Sequence, residues 1–215
     1  MEKKNFVRKA YRILLKELGS QNWWPAQTKW EVVIGVILTQ NTNWKNVERA
    51  IENLNSRGLI DIEKLANARL KDISEAIRPS GYYNQKAKKL KHISTYIKEK
   101  YNGNLENFYD KSLEGLRCEL ISIWGIGKES ADSIILYSAE KPIFVVDTYT
   151  LRILKRHNVI DENAGYDEVQ SLFMESLDKD VNVYNEYHAL LVNIGKNYCT
   201  KNKPNCELCV LNKLL

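Results

Sequence analysis

This chain is poor in the residues that break or staple a fold. Its 215 residues include 4 Pro, 10 Gly, 4 Cys, 2 Met and 3 His. Four cysteines are too few for a disulfide-built scaffold of this length, and in a cytosolic chain their spacing reads for metal instead. No apolar run reaches the ~18 residues of a membrane-spanning helix. Met1-Glu2-Lys3-Lys4 opens an amphipathic pattern and lacks the apolar core of a signal peptide. A cytoplasmic protein with no membrane partner is therefore expected. No repeat and no low-complexity linker interrupts the chain. Charge is not one-sided: 32 Lys+Arg against 27 Asp+Glu leave +5, which admits a polyanionic partner without requiring one.

What is present is helical period, without convincing strand alternation. Phe6, Val7, Ala10, Tyr11, Leu14 and Leu18 form an i, i+3, i+4 stripe that stops at Gly19. Thr28 and Glu31 read as a capping box before Trp30–Leu38, a run apolar nearly all round and so a buried central helix. Asn43 is placed to cap a helix through Leu54 that Gly58 closes. Asn84 is placed to cap another, with Ala87, Leu90, Ile93 and Ile97 inward. Ser112 is placed to cap a third through Ile123. Further helices are predicted over 128–137 and near 148–156, 167–177 and 184–196. Lys141-Pro142 marks a crossing between subdomains. Short helices on short loops predict an all-α fold of two helical subdomains.

The segment Trp124-Gly125-Ile126-Gly127-Lys128-Glu129-Ser130-Ala131-Asp132 carries the first chemistry. Gly125 and Gly127 free the backbone to turn tightly and leave no side chain in the way. Their N–H groups at a helix start form an anion site that a DNA phosphate suits, and Lys128 adds a charge. Eighteen residues after Glu129, Asp147 falls where the next helix begins, as a capping residue or as a reactive carboxylate. His188 shares a helix face with Leu191 and Val192 and reads as a core histidine. Cys118, on the helix before the hairpin, reads as a small buried hydrophobe.

The hairpin, the apolar segment and Val146-Asp147-Thr148 together resemble the helix-hairpin-helix DNA glycosylases of the endonuclease III type, the HhH-GPD family. Ile37-Leu38-Thr39-Gln40-Asn41-Thr42, the loop Ser80 to Ala87, and Gly195-x3-Cys199-x6-Cys206-x2-Cys209 extend the resemblance over residues 26–209. The combination of Trp23-Trp24-Pro25, Leu38-Thr39-Gln40-Asn41-Thr42 and Arg78 to Ala87 looks most like its 3-methyladenine glycosylase branch. The resemblance implies a six-helix barrel with the hairpin over about 21–140. A second domain would then combine 1–20 with 141–215, and Asp147 would lie in the cleft between them.

By the same resemblance Asp147 is the essential aspartate, suited to stabilising an oxocarbenium-like transition state or orienting water. Glu129 stands where bifunctional members carry a lysine that attacks C1′. Lys128, one step along, is turned about 100° away. The reaction implied is monofunctional base release in base-excision repair. Gln40 and Tyr82 are candidates to fill the gap left by a flipped base. Trp24, Trp44 and Trp23 are candidates for a pocket that stacks on cationic alkylated purines. Lys201 and Lys203 look like the basic DNA-contacting segment. Cys199, Cys206 and Cys209 match three positions of a [4Fe–4S] loop whose fourth falls on Leu215. A monovalent cation at the hairpin and a monomer acting on damaged duplex DNA complete the expectation. Two alternatives stand: an endonuclease III-like enzyme for mismatched, deaminated or oxidised bases, with or without lyase activity, and a non-catalytic DNA-binding module.

Overall fold

The computed structural model of the chain describes residues 2–214. Among them are twelve α-helices, two 3-10 turns and no strand. The chain divides into two compact units: Ala26–Ala139, and Met1–Pro25 joined with Glu140–Leu215.

The central unit holds α2 (Lys29–Leu38), α3 (Trp44–Ser56), α4 (Ile62–Asn67), α5 (Leu70–Ala76), α6 (Tyr83–Tyr101), α7 (Leu105–Tyr109), α8 (Leu113–Ser122) and α9 (Lys128–Tyr137). Every residue of α2 from Trp30 to Leu38 is buried, as its all-round apolarity demands. Thr28 Oγ1 accepts from Glu31 N at 3.1 Å, but the Glu31 carboxylate returns to Gln27 N at 3.4 Å rather than to Thr28. The last turn of α2 ends on a charge. Buried Lys86 donates from Nζ to Leu38 O at 2.9 Å and to Ser80 O at 2.7 Å. Burial, with Lys89 nearby, pushes the Lys86 ammonium down to about 8. Asn43 and Ser112 cap α3 and α8 as the sequence predicts.

The start of α6 is a correction. Asn84 lies inside the helix, and Tyr82 occupies the cap position with φ +46°. Gly81 (φ +67°) and Tyr82 turn the chain together out of a 3-10 turn, so α6 begins before Asn84 is reached. The short helices α4, α5 and α7 have no counterpart in the sequence reading. Asp61 caps α4 and Asn104 caps α7 through side-chain oxygens.

The terminal unit holds α1 (Lys3–Leu18), α10 (Thr148–Arg156), α11 (Tyr166–Ser176) and α12 (Val181–Asn197). Phe144 stacks on Phe173 at 4.0 Å and takes the edges of Tyr184 and Tyr187. The Tyr187 hydroxyl donates to Val7 O at 2.9 Å, tying α1 to α12. Residues 21–25, grouped by the sequence reading with the barrel, belong to this unit. Gln21 N donates to Glu186 Oε1 at 2.6 Å, and Asn193 Nδ2 donates to Gln21 Oε1 at 2.7 Å. Both anchors are on α12, so the chain leaves the terminal unit only after Pro25.

Helices α10 and α12 pack unusually closely. A Cβ on Gly195 would fall 2.3 Å from Tyr149 Cδ1, so only glycine lets the Tyr149 ring lie on the α12 backbone. Seven residues before Gly195 on α12 is His188, two turns up the same face. That approach determines what meets the start of α10.

Candidate active site

Asp147 is the N-cap of α10 and is 8% exposed. Its Oδ1 accepts from Thr150 N at 2.7 Å and from Thr150 Oγ1 at 2.9 Å. Its Oδ2 faces His188 Nε2 at 3.6 Å. Burial pushes the carboxyl upward, but His188 and the two Thr150 hydrogen bonds outweigh it and hold Asp147 below its ordinary value. Asp147 is therefore a buried carboxylate kept ionised, with one oxygen saturated and the other only partly engaged. His188 is buried as a core histidine should be, and in addition its ring meets Phe144 edge-on at 6.5 Å and turns a nitrogen to the carboxylate. No local signal in the sequence marks this approach, because it depends on the distant Tyr149 lying against Gly195.

The hairpin between α8 and α9 is anchored from behind. Ile126 is buried, and its N–H closes a turn on Ile123 O at 3.1 Å. Gly125 has φ +89°, and a Cβ there would lie 2.6 Å from Lys89 Cγ. A Cβ on Gly127 would meet no atom of the chain within 4 Å. Gly127, Lys128 and Glu129 are exposed at the first turn of α9. The angle between α8 and α9 is held by Arg117, which donates to both oxygens of buried Asp132 at 2.7 and 3.1 Å. Trp124 is 52% exposed and lies edge-on to His92.

The other predicted residues fall into separate surroundings. Gln40 follows α2 and is tied within its own unit: Lys89 Nζ donates to its Oε1 at 2.7 Å, and its Nε2 donates to Ser130 Oγ at 3.0 Å. Tyr82 is 72% exposed at its positive-φ turn. Trp23 and Trp24 are half-buried neighbours with rings 5.0 Å apart, and Lys196 lies over Trp23. Trp44, in the central unit, is half-buried at the start of α3 and donates to Glu48. Cys118 is exposed, which corrects the sequence reading: Leu116 and Leu120 take the inward positions of α8.

Cys199, Cys206 and Cys209 line one pocket after α12. Burial, then Cys199 and Cys206, push the Cys209 thiol up. The loop is gripped by two arginines of α10. Arg152 donates to Cys199 O and Gly195 O, and Arg156 donates to Cys199 Sγ at 3.2 Å, Thr200 O and Lys201 O. Lys201 and Lys203 are exposed on it. Three thiols are the donor type that iron or zinc takes. Among the described residues, however, no three His, Cys, Asp or Glu side chains are gathered closely enough to hold a metal ion. Leu215, at the fourth position, lies outside the described residues. No helix among the described residues is long and apolar enough to cross a membrane.

Comparison with known proteins agrees with this architecture. The model of the HhH-GPD superfamily base excision DNA repair proteins matches residues 34–179. A Methanocaldococcus jannaschii protein named "Putative DNA repair glycosylase" is 50% identical over 209 residues, covering 96% of this chain and 94% of the relative. Endonuclease III of Thermotoga maritima is 29% identical over 184 residues, 84% of this chain and 79% of that protein. Among solved structures, Helicobacter pylori 3-methyladenine DNA glycosylase bound to 1,N6-ethenoadenine is similar with a TM-score of 0.76 and 30% identity. It covers 90% of this chain and 97% of its own. A trapped endonuclease III–DNA covalent intermediate shares the fold with a TM-score of 0.86 at 22% identity, over 100% and 96% of the two chains. The all-helical chain described here belongs to the HhH-GPD superfamily of base-excision DNA repair proteins and is a DNA N-glycosylase.

Proposed function

We propose that this chain is a monofunctional glycosylase that releases alkylated purines, foremost 3-methyladenine, from duplex DNA, acting as a monomer. One observation carries the reading. The buried carboxylate Asp147 is held ionised with Oδ2 only partly engaged, while position 129, the place of the bifunctional lysine, is an exposed glutamate. A purine nucleotide alkylated at N3 or N7 is cationic and its C1′–N bond is already weakened. As that bond breaks, the base leaves with the bonding electrons as a neutral purine. The sugar left behind becomes oxocarbenium-like, and an ionised Asp147 stabilises it. A water adds to C1′ and gives its proton to Asp147, which passes it to solvent. A carboxylate at position 129 cannot form the Schiff base that precedes strand cleavage.

Supporting features are distributed by unit. In the central unit the exposed N–H groups around Gly127 and the charge of Lys128 suit a DNA phosphate. Gly127 has no steric need of its own within the chain, as expected where the requirement comes from a bound backbone. Gln40 and Tyr82 are the proposed gap-filling residues, and Trp44 offers a half-buried aromatic face. In the terminal unit Trp23 and Trp24 offer further faces, and Lys201 and Lys203 offer charge. The 30% identity to a 3-methyladenine glycosylase supports the substrate class. Cys199, Cys206 and Cys209 are the proposed holders of a [4Fe–4S] cluster, which would brace the loop and take no part in glycosidic cleavage.

The test is incubation of the protein with methylated duplex DNA, followed by chromatography of the released bases and borohydride trapping on an abasic duplex. Free 3-methyladenine with no covalent adduct is expected. Release of thymine, uracil or an oxidised pyrimidine instead would move the specificity, and a trapped adduct would overturn the monofunctional assignment.

A further inference from the structure

His188 takes no part in these steps, although it is the side chain that faces the open oxygen of Asp147. We propose that His188 is a positioning residue, which orients the Asp147 carboxylate and holds its charge toward the sugar. The inference rests on the reading of Asp147 as the carboxylate that acts at C1′.

The geometry separates capping from chemistry. A helix N-cap needs one oxygen, and Thr150 N with Thr150 Oγ1 saturates Oδ1. Nothing in the cap requires Oδ2 to be addressed. Yet α12 approaches α10 through the Gly195–Tyr149 contact, and two turns earlier it delivers an imidazole nitrogen 3.6 Å from Oδ2. The pair is almost dry, with His188 6% and Asp147 8% exposed. A carboxylate so enclosed tends to protonate, and a protonated acid could stabilise no cation. Phe144 meets the imidazole edge-on at 6.5 Å and limits its tilt. A lone pair turned to a carboxylate would repel it, so Nε2 carries the proton. At 3.6 Å the contact is close enough to orient Oδ2 electrostatically and too long to saturate it. A lone pair of Oδ2 is thereby left for water or for the sugar.

The test uses the full chain and two duplexes that need no lesion assignment. One carries a cationic pyrrolidine in place of the damaged nucleoside, and the other carries a neutral tetrahydrofuran. The wild type should bind the pyrrolidine duplex more tightly. His188→Leu should lower that preference roughly tenfold, as loss of one contact to a charged group does, with tetrahydrofuran affinity unchanged. His188→Gln, which keeps a donor nitrogen, should restore most of it. Retained preference in His188→Leu overturns the inference while leaving the glycosylase reading intact. A loss that His188→Gln fails to rescue, or an equal loss on both duplexes, also overturns it, in favour of packing. A wild type without any preference overturns the reading of Asp147 itself.

Discussion

The starts of α9 and α10 each bear an acidic side chain, and they are built on opposite terms. At α9 the backbone faces solvent: Gly127, Lys128 and Glu129 are exposed, and the turn is shaped from behind by Ile126 and the Lys89 stem. At α10 the side chain is enclosed, with Asp147 fixed by Thr150 and faced by His188. An open helix start suits a large anion held by many weak backbone contacts. An enclosed one suits a single charge whose ionisation and direction are maintained by neighbours. Affinity should therefore be lost by damaging the first, and rate by damaging the second.

The largest effect sought is on the frame of the open start. Asp132→Ala removes both hydrogen bonds that Arg117 makes across α8 and α9 and should cost about 3 kcal/mol in urea denaturation. A loss of only a few tenths would mean that the pair does not set the hairpin. Next, Gly195→Ala forces a methyl into Tyr149 and should cost roughly 1–3 kcal/mol. Base release should fall further than duplex affinity, since the methyl lands against Tyr149 in the α10 corner that carries Asp147. Loss of affinity without loss of rate would break the division.

A third test uses acid. Glu119 on α8 accepts hydrogen bonds from Lys100, Tyr101 and Tyr96 and pairs with Lys111 at 3.1 Å. Burial pushes it up, but these partners win and hold it down at about 2. A depressed carboxyl stabilises the fold fully above its ordinary value of 4.5, and that contribution is lost as pH falls toward 2. Glu119→Gln should remove this part of the acid-unfolding slope, as followed by circular dichroism. An unchanged slope would assign the acid limb elsewhere. Asp147 is depressed too, so its own protonation should not slow base release as pH falls from 7 to about 5. The smallest effect is Lys128→Ala, which should reduce the salt dependence of duplex binding by about one charge with the rate at saturation unaltered.

Local chemistry was legible in the chain, and contact between distant segments was not. Thr28, Asn43 and Ser112 announce their helices because a cap acts within three residues. The all-round apolarity of α2 announces its burial. The short helices α4, α5 and α7 escaped because five to seven residues hold too little period to read. Asn84 misled because an Asn at a plausible cap competes with a positive-φ turn that Tyr82 adopts against its usual preference. Asp147 and the hairpin glycines could each be picked out by spacing. His188 could not: its role depends on Gly195 meeting Tyr149, two residues whose separation in the chain carries no local signal.

The most direct measurement is single-turnover base release from methylated duplex by Asp147→Asn beside the wild type, with binding measured on the same duplex. The substitution keeps an oxygen for Thr150 and removes the charge. The expected result is a rate lower by about 10²–10³-fold with affinity nearly intact. Equal rates in the two proteins would contradict the account, leaving Asp147 a cap and nothing more.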